Sequence, residues 1–259
     1  MARIALGLEY DGRDFCGWQA QSDGCGVQDT LQRALANIAG HRVEVIAAGR
    51  TDAGVHAAMQ VVHFDTSSDR PISAWVRGVN SFLPDSVAVL WSCTVTQDFH
   101  ARFSALARSY RYVLLNHPVR PALQAGRTGW FHTPLALEPM REAARLLIGT
   151  HDFSAFRAAA CQAKSPVREL HNLDIRRDGD HIIFDLKANA FLHHMVRNIV
   201  GALVYVGKGK HGPSWLAELL EQRDRKLAAP TFAPDGLYLS AVQYAEEWGL
   251  PVTQRLDFE

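Results

Sequence analysis

The chain has 259 residues, of which 47% are hydrophobic and 21% are charged, and this composition predicts a globular protein with a sizeable core. No apolar run approaches the roughly 20 residues that a membrane helix needs, and the chain turns polar too soon after Met1 for a signal peptide. We therefore expect a cytoplasmic protein without a membrane partner, and the formal net charge of zero by itself argues against a nucleic-acid partner.

Hydrophobic periodicity predicts the elements of the first half, and the turn dipeptide Asp11-Gly12 and the residue Gly40 mark two of their ends. The elements are a strand over residues 4–10, a helix over 27–38, strands over 43–47 and 60–64, a helix over 73–82 that ends before Pro84, and a strand over 87–95. This order, β-α-β-β-α-β, is that of the ferredoxin-like unit.

The second half repeats the order. Its elements are a strand over 110–115, a helix over 139–148, strands over 170–176 and 182–187, a long helix, and a strand over 236–244. In the long helix, apolar residues from Leu192 to Leu203 form one stripe, and Arg197 lies beside it. We therefore expect an α+β fold of two ferredoxin-like (βαββαβ) halves that share one mainly antiparallel sheet.

These elements divide the chain into an N-terminal half over residues 1–105, a C-terminal half over 106–245 and a tail over 246–259. A central cleft at the junction of two such halves is the natural ligand site. The stretches 117–137 and 150–168 are long enough to predict functional loops over that cleft.

The charges are distributed unevenly along the chain. Residues 100–170 carry ten Lys and Arg residues against four Asp and Glu residues, whereas acidic residues outnumber basic ones in both flanking parts. Basic and aromatic side chains are interleaved here: Arg102, Arg108, Arg111, Arg120, Arg127, Arg157, Lys164 and Arg168 lie among Phe99, Phe103, Tyr110, Tyr112, Trp130, Phe153 and Phe156. This combination is typical of an RNA-binding surface, although a solvated basic face over an ordinary aromatic core fits it equally well.

Asp52 lies between two predicted strands, in the segment Ala-Gly-Arg-Thr-Asp-Ala-Gly over residues 48–54. Gly49 and Gly54 allow a positive φ or a close backbone approach, so the segment predicts a tight loop that presents one carboxylate. Arg50 would favour the ionised form of Asp52. A second interpretation stays open at this point, because an Asp in such a loop often caps a turn or a helix.

The spacing of the cysteine and histidine residues does not predict a metal site. The four cysteines, Cys16, Cys25, Cys93 and Cys161, include no C-x-x-C pair, so we expect reduced, mostly buried thiols. The adjacent His193 and His194, if helical, would point about 100° apart and could not chelate one ion together.

Residues 207–212, Gly-Lys-Gly-Lys-His-Gly, match the pattern G-x-G-x-x-G by letter. The dinucleotide-binding fingerprint needs a strand before the glycines, whereas a predicted helix precedes them here. We therefore expect a Gly-rich turn between two helices, whose lysines are able to touch phosphate.

A single prominent carboxylate with arginines and an RNA-like surface suits chemistry at a glycosidic bond in which the base leaves the sugar and re-bonds, because no water needs to be activated. A glycoside hydrolase typically needs two carboxylates. Five blocks in order resemble the tRNA pseudouridine synthase A family (TruA family): residues 49–57 (GRTDAGVHA), 99–105 (FHARFSA), 110–112 (YRY), 189–198 (NAFLHHMVRN) and 236–239 (GLYL). The resemblance begins at residues 15–19 (FCGWQ) and runs nearly to the C-terminus.

The resemblance implies the pseudouridine synthase fold and a homodimer. It also implies an isomerase, with no cofactor and no metal, that converts uridine to pseudouridine at positions 38, 39 and 40 of the tRNA anticodon stem-loop. By motif, Asp52 is the catalytic nucleophile, Arg197 pairs with it, Arg50 helps to place the flipped nucleotide, and Tyr110 binds the uracil base.

Two further stretches match tRNA-contacting segments of the family: Phe99, His100, Ala101, Arg102 and Phe103, and Gln162, Ala163, Lys164, Ser165 and Pro166. The second has Lys-Ser-Pro where relatives often have Arg-Thr-Pro, and lysine keeps the charge but lacks the bidentate fork of arginine. Two other functions stay open. A non-catalytic RNA-binding module would use Asp52 only as a turn residue, and a nucleoside hydrolase would release free uracil.

Overall fold

The computed structural model describes residues 1–251, so residues 252–259 of the predicted tail lie outside the described residues. The chain divides into two compact units: unit 1 contains Met1–Leu106 and the segment that starts at Tyr238, and unit 2 contains Ala107–Leu237. Among the described helices, none combines the length and the apolar character that crossing a membrane requires. The domain boundaries inferred from the sequence stay a prediction.

Unit 1 has the predicted order of elements. They are β1 (Ala2–Tyr10), α1 (Val27–Ala39), β2 (Ile46–Ala47), β3 (His56–Thr66), a short π-helical segment (Ala74–Gly78) and β4 (Val87–Val95). β1 pairs antiparallel with both β3 and β4, and β2 pairs antiparallel with β3, which gives the ferredoxin-like order β4-β1-β3-β2. Two elements are clearly shorter than predicted: β2, and the helix expected over residues 73–82, of which the structure shows the π-helical segment Ala74–Gly78.

Helix α1 shows why the sequence pattern worked. Val27, Leu31 and Leu35 recur at helical spacing and are fully buried, so one face of the helix packs into the core. The helix ends at Gly40, which has a left-handed backbone with a φ of 73° and donates its N–H to the carbonyl of Ala36.

Unit 2 adds elements to the predicted order. It contains β5 (Ala107–Asn116), β6 (Gly129–Phe131), α2 (Leu137–Arg145), β7 (Gly149–Asp152), β8 (Val167–Asp178), β9 (His181–Ala188), α3 (Met195–Gly207) and α4 (Trp215–Gln222). β5, β9, β8 and β7 pair antiparallel in that order, and β6 pairs in parallel with β5. The stretches 117–137 and 150–168, predicted as loops, therefore contain β6, most of β7 and a short 3₁₀ turn (Ser154–Phe156).

The last strand, β10 (Leu237–Gln243), lies where a strand was predicted. Its residues Tyr238 and Leu239 pair in parallel with His56 and Ala57 of β3, so the strand groups with unit 1. Most other strand pairs are antiparallel, and the α+β class with a mainly antiparallel arrangement is confirmed.

A buried polar side chain anchors α3 within unit 2. Asn198 is fully buried, and its Nδ2 donates to the carbonyl of Phe156 at 2.7 Å. Its Oδ1 accepts hydrogen bonds from Thr231 Oγ1 at 2.7 Å and from Arg225 Nη2 at 3.0 Å. Burial lowers the pKa of Arg225, so this guanidinium needs the acceptors that surround it. The network fixes the helix that carries Arg197.

We expect Asn198→Ala to lower the free energy of unfolding by about 3 kcal/mol, because it removes three hydrogen bonds of a buried network, among them the one to the Phe156 carbonyl. Urea unfolding monitored by circular dichroism measures the change. The exposed helix residue Asn37 provides the matched control, and Asn37→Ala should change stability by no more than about 0.5 kcal/mol. An equal response of the two variants would contradict this role for Asn198.

Candidate active site

Asp52 lies in the connection between β2 and β3, as the sequence predicts. The carbonyl of Asp52 accepts a hydrogen bond from the N–H of Val55 at 3.1 Å, which closes a tight turn. Gly54 adopts a φ of 76° in this turn, so the predicted need for glycine is confirmed there. Gly49 has no positive φ, and a side-chain Cβ built on it would meet no described atom within 4 Å. The carboxylate of Asp52 is half-buried.

Buried polar side chains of strands β1 and β3 form hydrogen bonds to this loop. The Tyr10 hydroxyl and Thr51 Oγ1 share a buried hydrogen bond of 2.8 Å, and Gln60 Nε2 donates to the carbonyl of Gly49 at 2.7 Å. Burial raises the pKa of Tyr10 to about 12, so its hydroxyl stays protonated at neutral pH. Strands β1 and β3 thus each contribute a side chain that fixes the loop before Asp52.

Gly17 packs directly against the backbone of the Asp52 loop. Its φ is 100°, and a Cβ added there would lie 2.9 Å from the carbonyl oxygen of Thr51 and 3.1 Å from the nitrogen of Ala53. The next residue, Trp18, donates its N–H to the same Thr51 carbonyl at 3.0 Å. Trp18 is buried, with its ring centroid 5.9 Å from that of Tyr10. The segment that contains Gly17 and Trp18 therefore also restricts the Asp52 loop.

Sequence reasoning did not assign a role to Tyr10, Gly17 or Gln60. The one signal in the chain was the block over residues 15–19 at the start of the family resemblance, which contains Gly17. Tyr10 and Gln60 lie in ordinary strand patterns, and a buried strand residue gives no sequence sign of the loop that it supports.

Arg50 is exposed, and within the described structure it forms no ion pair with Asp52. The expected effect of the Arg50 charge on the ionisation of Asp52 stays a prediction. The implied role of Arg50 at the flipped nucleotide stays a prediction as well.

The 99–103 loop combines a buried base with an exposed tip. Phe99 and Ala101 are fully buried, and the Tyr244 hydroxyl donates to the carbonyl of Ala101 at 2.6 Å. Arg102 and Phe103 are exposed, with the Arg102 guanidinium 5.5 Å from the centroid of the Phe103 ring. The loop thus presents one cation and one aromatic face to solvent.

Arg3 ties this loop to the edge of the sheet. Its guanidinium forms a two-point ion pair with Asp65, with both N–O distances at 2.8 Å. The same guanidinium donates to the carbonyls of Gln97 at 2.5 Å and Phe99 at 2.9 Å. One charged side chain on β1 therefore sets the position at which the loop begins.

His63 supports the middle of the same loop. It is buried, and its Nδ1 accepts the N–H of Ala101 at 3.1 Å. Burial, the Arg3 charge and the neighbouring His100 lower the pKa of His63 to about 4. The neutral imidazole is therefore the form that supports the loop.

Within unit 2, the structure fixes Tyr110 and Arg197 on separate elements. Tyr110 lies on β5, is 9% exposed, and contacts Phe191 edge-on with ring centroids 4.9 Å apart. Arg197 lies on α3, is half-buried, and donates its Nε to the carbonyl of Phe232 at 2.8 Å. The N–H of Phe232 in turn donates to the carbonyl of Arg197 at 3.2 Å. Both side chains are thus oriented by neighbours within their own unit.

The 162–166 loop is shaped by two arginines from the basic part of the chain. Arg157 donates to the carbonyls of Cys161 at 2.5 Å and Ala163 at 2.9 Å. Arg168 donates to the carbonyls of Ser165 at 3.0 Å and Val167 at 2.6 Å. Lys164, like Gln162 and Ser165, is exposed, whereas Ala163 and Pro166 are half-buried. Some of the arginines that suggested an RNA surface therefore order the loop that presents Lys164.

The expectation of four reduced thiols was wrong for one pair. Cys16 and Cys25 form a disulfide, their Cα atoms lie 5.5 Å apart, and Cys16 is exposed. The N–H of Cys16 donates to the carbonyl of Cys25 at 3.1 Å, so the chain folds back on itself between them. Spacing alone cannot reveal such a reversal. Cys93 and Cys161 are free and half-buried.

The two adjacent histidines are not helical neighbours, contrary to the prediction. α3 begins at Met195, and His194 has a left-handed backbone with a φ of 63°. The rings of His193 and His194 therefore lie with centroids 4.0 Å apart instead of pointing in different directions. The geometric argument against joint chelation, which assumed a helix, does not hold.

The chain matches known proteins along nearly its whole length. A family model described as tRNA pseudouridine synthase matches residues 8–104 and 143–245, which is more than half of the chain. A protein of Chromobacterium violaceum named tRNA pseudouridine synthase A is 63% identical over 250 residues, covering 96% of this chain and 95% of the relative. A protein of the same name from Methylobacillus flagellatus is 60% identical, and the match covers 98% of this chain and 97% of the relative. Another, from Dechloromonas aromatica, is 61% identical, and the match covers 96% of this chain and 95% of the relative.

The lowered pKa of His63 predicts a specific loss of stability in acid. The unfolded chain binds this proton near pH 6.5, whereas the folded chain binds it only near pH 4, so stability falls as pH drops between these values. We expect a contribution of about 2 kcal/mol to the loss between pH 7 and pH 5. His63→Asn keeps a hydrogen-bond acceptor but cannot titrate, so its stability should depend less on pH.

Urea unfolding at pH 7, 6 and 5 checks this expectation. Exposed His132 provides the control, and His132→Asn should follow the wild-type dependence on pH. Parallel profiles for the wild type and His63→Asn would count against a proton-linked role of His63.

Proposed function

The chain belongs to the tRNA pseudouridine synthase family, and from this premise we propose that it isomerises uridine to pseudouridine at positions 38, 39 and 40 of the tRNA anticodon stem-loop, with Asp52 as the nucleophile. Membership confirms the resemblance found in the sequence, and with it the isomerase class and a role in tRNA modification. The observation that carries the assignment of Asp52 is its place in a turn fixed by Gly17, Thr51 and Gly54.

A fixed carboxylate suits this reaction. The N1–C1′ bond of uridine breaks and a C5–C1′ bond forms. C5 loses its proton and N1 gains one, so the product has the same composition as the substrate. No water enters, and one carboxylate suffices where glycoside hydrolysis typically needs two. Asp52 acts by attack on the ring, by attack on the sugar carbon, or by proton abstraction, and the proposal covers all three.

The target base must leave its stack before a carboxylate on a loop can reach it. Unstacking costs a few kcal/mol, and an aromatic side chain that stacks on the base returns roughly 1–3 kcal/mol. We propose Tyr110 as that substrate-binding residue and Arg50 and Arg197 as further catalytic residues, as the family resemblance implies. The edge-on contact with Phe191, which sets the orientation of the Tyr110 ring, supports the first assignment.

The 99–103 and 162–166 loops are the proposed tRNA contacts. Support comes from their exposed groups, which are the cation–aromatic pair of Arg102 and Phe103 and the ammonium of Lys164. Phosphates bind cations, and unpaired bases stack on aromatic rings, so both kinds of group fit an RNA loop. A cytoplasmic location and the absence of cofactor and metal stay predictions.

Replacing the nucleophile provides the direct test. We expect Asp52→Asn to lower the rate of tritium release from tRNA labelled at uracil C5 by roughly 10³-fold or more, since the amide cannot act as a nucleophile. Binding of tRNA should persist, because the loop backbone is held by contacts that the substitution leaves in place. Asp69, which is exposed and lies outside the loop, provides the control, and Asp69→Asn should keep wild-type activity.

The products separate the rival functions. Wild-type protein that binds tRNA without tritium release would favour a non-catalytic RNA-binding module, and free uracil with an abasic tRNA would identify a nucleoside hydrolase. Full activity of folded Asp52→Asn with tRNA in excess would remove Asp52 as the nucleophile while leaving the isomerase in place.

We also propose that the protein is a homodimer, which the family resemblance implies. Light scattering at micromolar concentration should give twice the chain mass of 28.7 kDa. A mass of one chain across the working range of concentration would refute the dimer and leave the isomerase assignment unaffected.

A further inference from the structure

The turn between α3 and α4 in unit 2 carries a cluster of aromatic and basic side chains that the proposed reaction does not use. We define the α3–α4 surface by five residues: Tyr205, Lys208, Lys210, His211 and Trp215. The turn follows Gly207, the last residue of α3, and precedes Trp215, the first residue of α4. It corresponds to the Gly-rich segment that the sequence placed between two helices.

The backbone of this turn has a defined path. Lys208 and Lys210 donate their N–H groups to the carbonyls of Val204 and Tyr205, each at 3.0 Å. Gly209 adopts a φ of 75°, and Cβ atoms built on Gly209 and Gly212 would meet no described atom within 4 Å. The turn is therefore anchored at the end of α3 and open on its outer side.

Three rings of the surface lie nearly parallel. The centroids of His211 and Trp215 are 3.9 Å apart with an interplanar angle of 14°. Tyr205 lies at 6.2 Å and 15° from Trp215, and at 6.3 Å and 19° from His211. All three side chains are half-buried, so part of each ring reaches solvent.

Two ammonium groups converge on this aromatic platform. The Nζ atoms of Lys208 and Lys210 each lie 4.1 Å from the centroid of the Tyr205 ring, and Lys208 Nζ also lies 6.0 Å from that of Phe131. Both lysines are exposed, and no carboxylate of the described residues forms an ion pair with either. Cation–π contact restricts the two positive charges to one small area.

The neighbouring titratable groups do not cancel these charges. Glu218 accepts a hydrogen bond from Ser214 Oγ at 3.2 Å, at the start of α4. Burial and the Lys210 charge lower the pKa of His211, so its ring is neutral at pH 7. The area therefore presents two positive charges beside a neutral imidazole.

Two alternative roles explain this arrangement less well than RNA binding does. One is compensation of the helix dipole, and the other is contact with a second copy of the chain. Lysines after a helix C-terminus compensate its dipole, but that requires neither two ammoniums over one ring nor a stack of three rings. A contact with a second copy is disfavoured because protein–protein interfaces are depleted in lysine. Unpaired ammoniums beside partly exposed rings are, in contrast, the features that bind the sugar–phosphate backbone of RNA.

We propose that the α3–α4 surface binds the phosphate backbone of tRNA, in addition to the 99–103 and 162–166 loops. This inference rests on the proposed function, which supplies tRNA as the substrate. Lys208 and Lys210 neutralise phosphates, and the stacked rings hold the turn and the Tyr205 platform in place. The surface increases affinity without reading sequence, because phosphate contacts carry no base information.

The test measures the salt dependence of tRNA binding. Each lysine that neutralises a phosphate contributes about 0.7–0.9 to the slope of log K against log salt concentration. We expect the double variant Lys208→Ala/Lys210→Ala to bind the tRNA substrate more weakly than the wild-type protein does at 50 mM KCl. Its slope between 50 and 200 mM KCl should be smaller in magnitude by about 1.5. The double variant Lys208→Arg/Lys210→Arg should restore the slope.

Lys226 provides the matched control, because it is exposed in the same unit and lies outside the α3–α4 surface. Lys226→Ala should leave both the affinity and the slope unchanged. An unchanged slope for the folded alanine double variant would overturn the proposal, as would an equal loss for Lys226→Ala. A change in oligomeric mass, with the slope per protein chain preserved, would instead identify a contact between copies and would also overturn it.

The same experiment separates this inference from the proposed function. Wild-type protein that releases tritium, together with an unchanged slope in the double variant, means that only the α3–α4 surface has failed. Wild-type protein that shows the lysine-dependent slope without releasing tritium means that only the isomerase has failed.

Discussion

The fit of Gly17 against the backbone of the Asp52 loop is the constraint on which the candidate site depends. A Cβ at Gly17 would lie 2.9 Å from the Thr51 carbonyl oxygen, closer than real Cβ contacts allow, so the two chain segments touch only because glycine has no side chain. Below the loop, the hydrogen bond of Tyr10 with Thr51 and that of Gln60 with the Gly49 carbonyl remove the remaining freedom. A carboxylate on such a turn is preorganised, so little of its motion has to be restricted during the reaction.

The cationic side chains have two distinct roles: some order the loops, and others are exposed at the loop tips. Arg3 joins a strand to the 99–103 loop, and Arg157 and Arg168 satisfy carbonyls of the 162–166 loop. Guanidinium suits this work because its several donors lie in a fixed plane and bind more than one acceptor at once. The loops that these arginines order expose two further cations at their tips, Arg102 and Lys164. A chain with zero net charge thereby presents localised positive surfaces.

The sequence predicted elements wherever a periodic pattern coincided with an end signal. Helix α1 is the clear case, since its apolar spacing and Gly40 both appear in the structure. Prediction is poorer where a local rule extends beyond its element: the expectation that His193 and His194 are helical is wrong, because the left-handed backbone of His194 precedes α3. It is also poorer for Cys16 and Cys25, whose proximity depends on a chain reversal that no spacing rule encodes. The supporting residues Tyr10 and Gln60 had no sequence signal, because a buried polar strand residue acquires its role only from what packs above it.

By itself, the sequence determined the order of strands and helices in unit 1, the loop that carries Asp52 and, through five motif blocks, the family. These properties depend on short stretches of chain, in which periodicity, glycine and the identity of neighbouring residues are sufficient information. Only the tertiary structure decided that Arg50 forms no pair with Asp52, that Phe99 is buried while Phe103 is exposed, and that two lysines meet over Tyr205. The reason is that burial and charge pairing depend on distances between residues, and folding sets those distances through the packing of the whole unit.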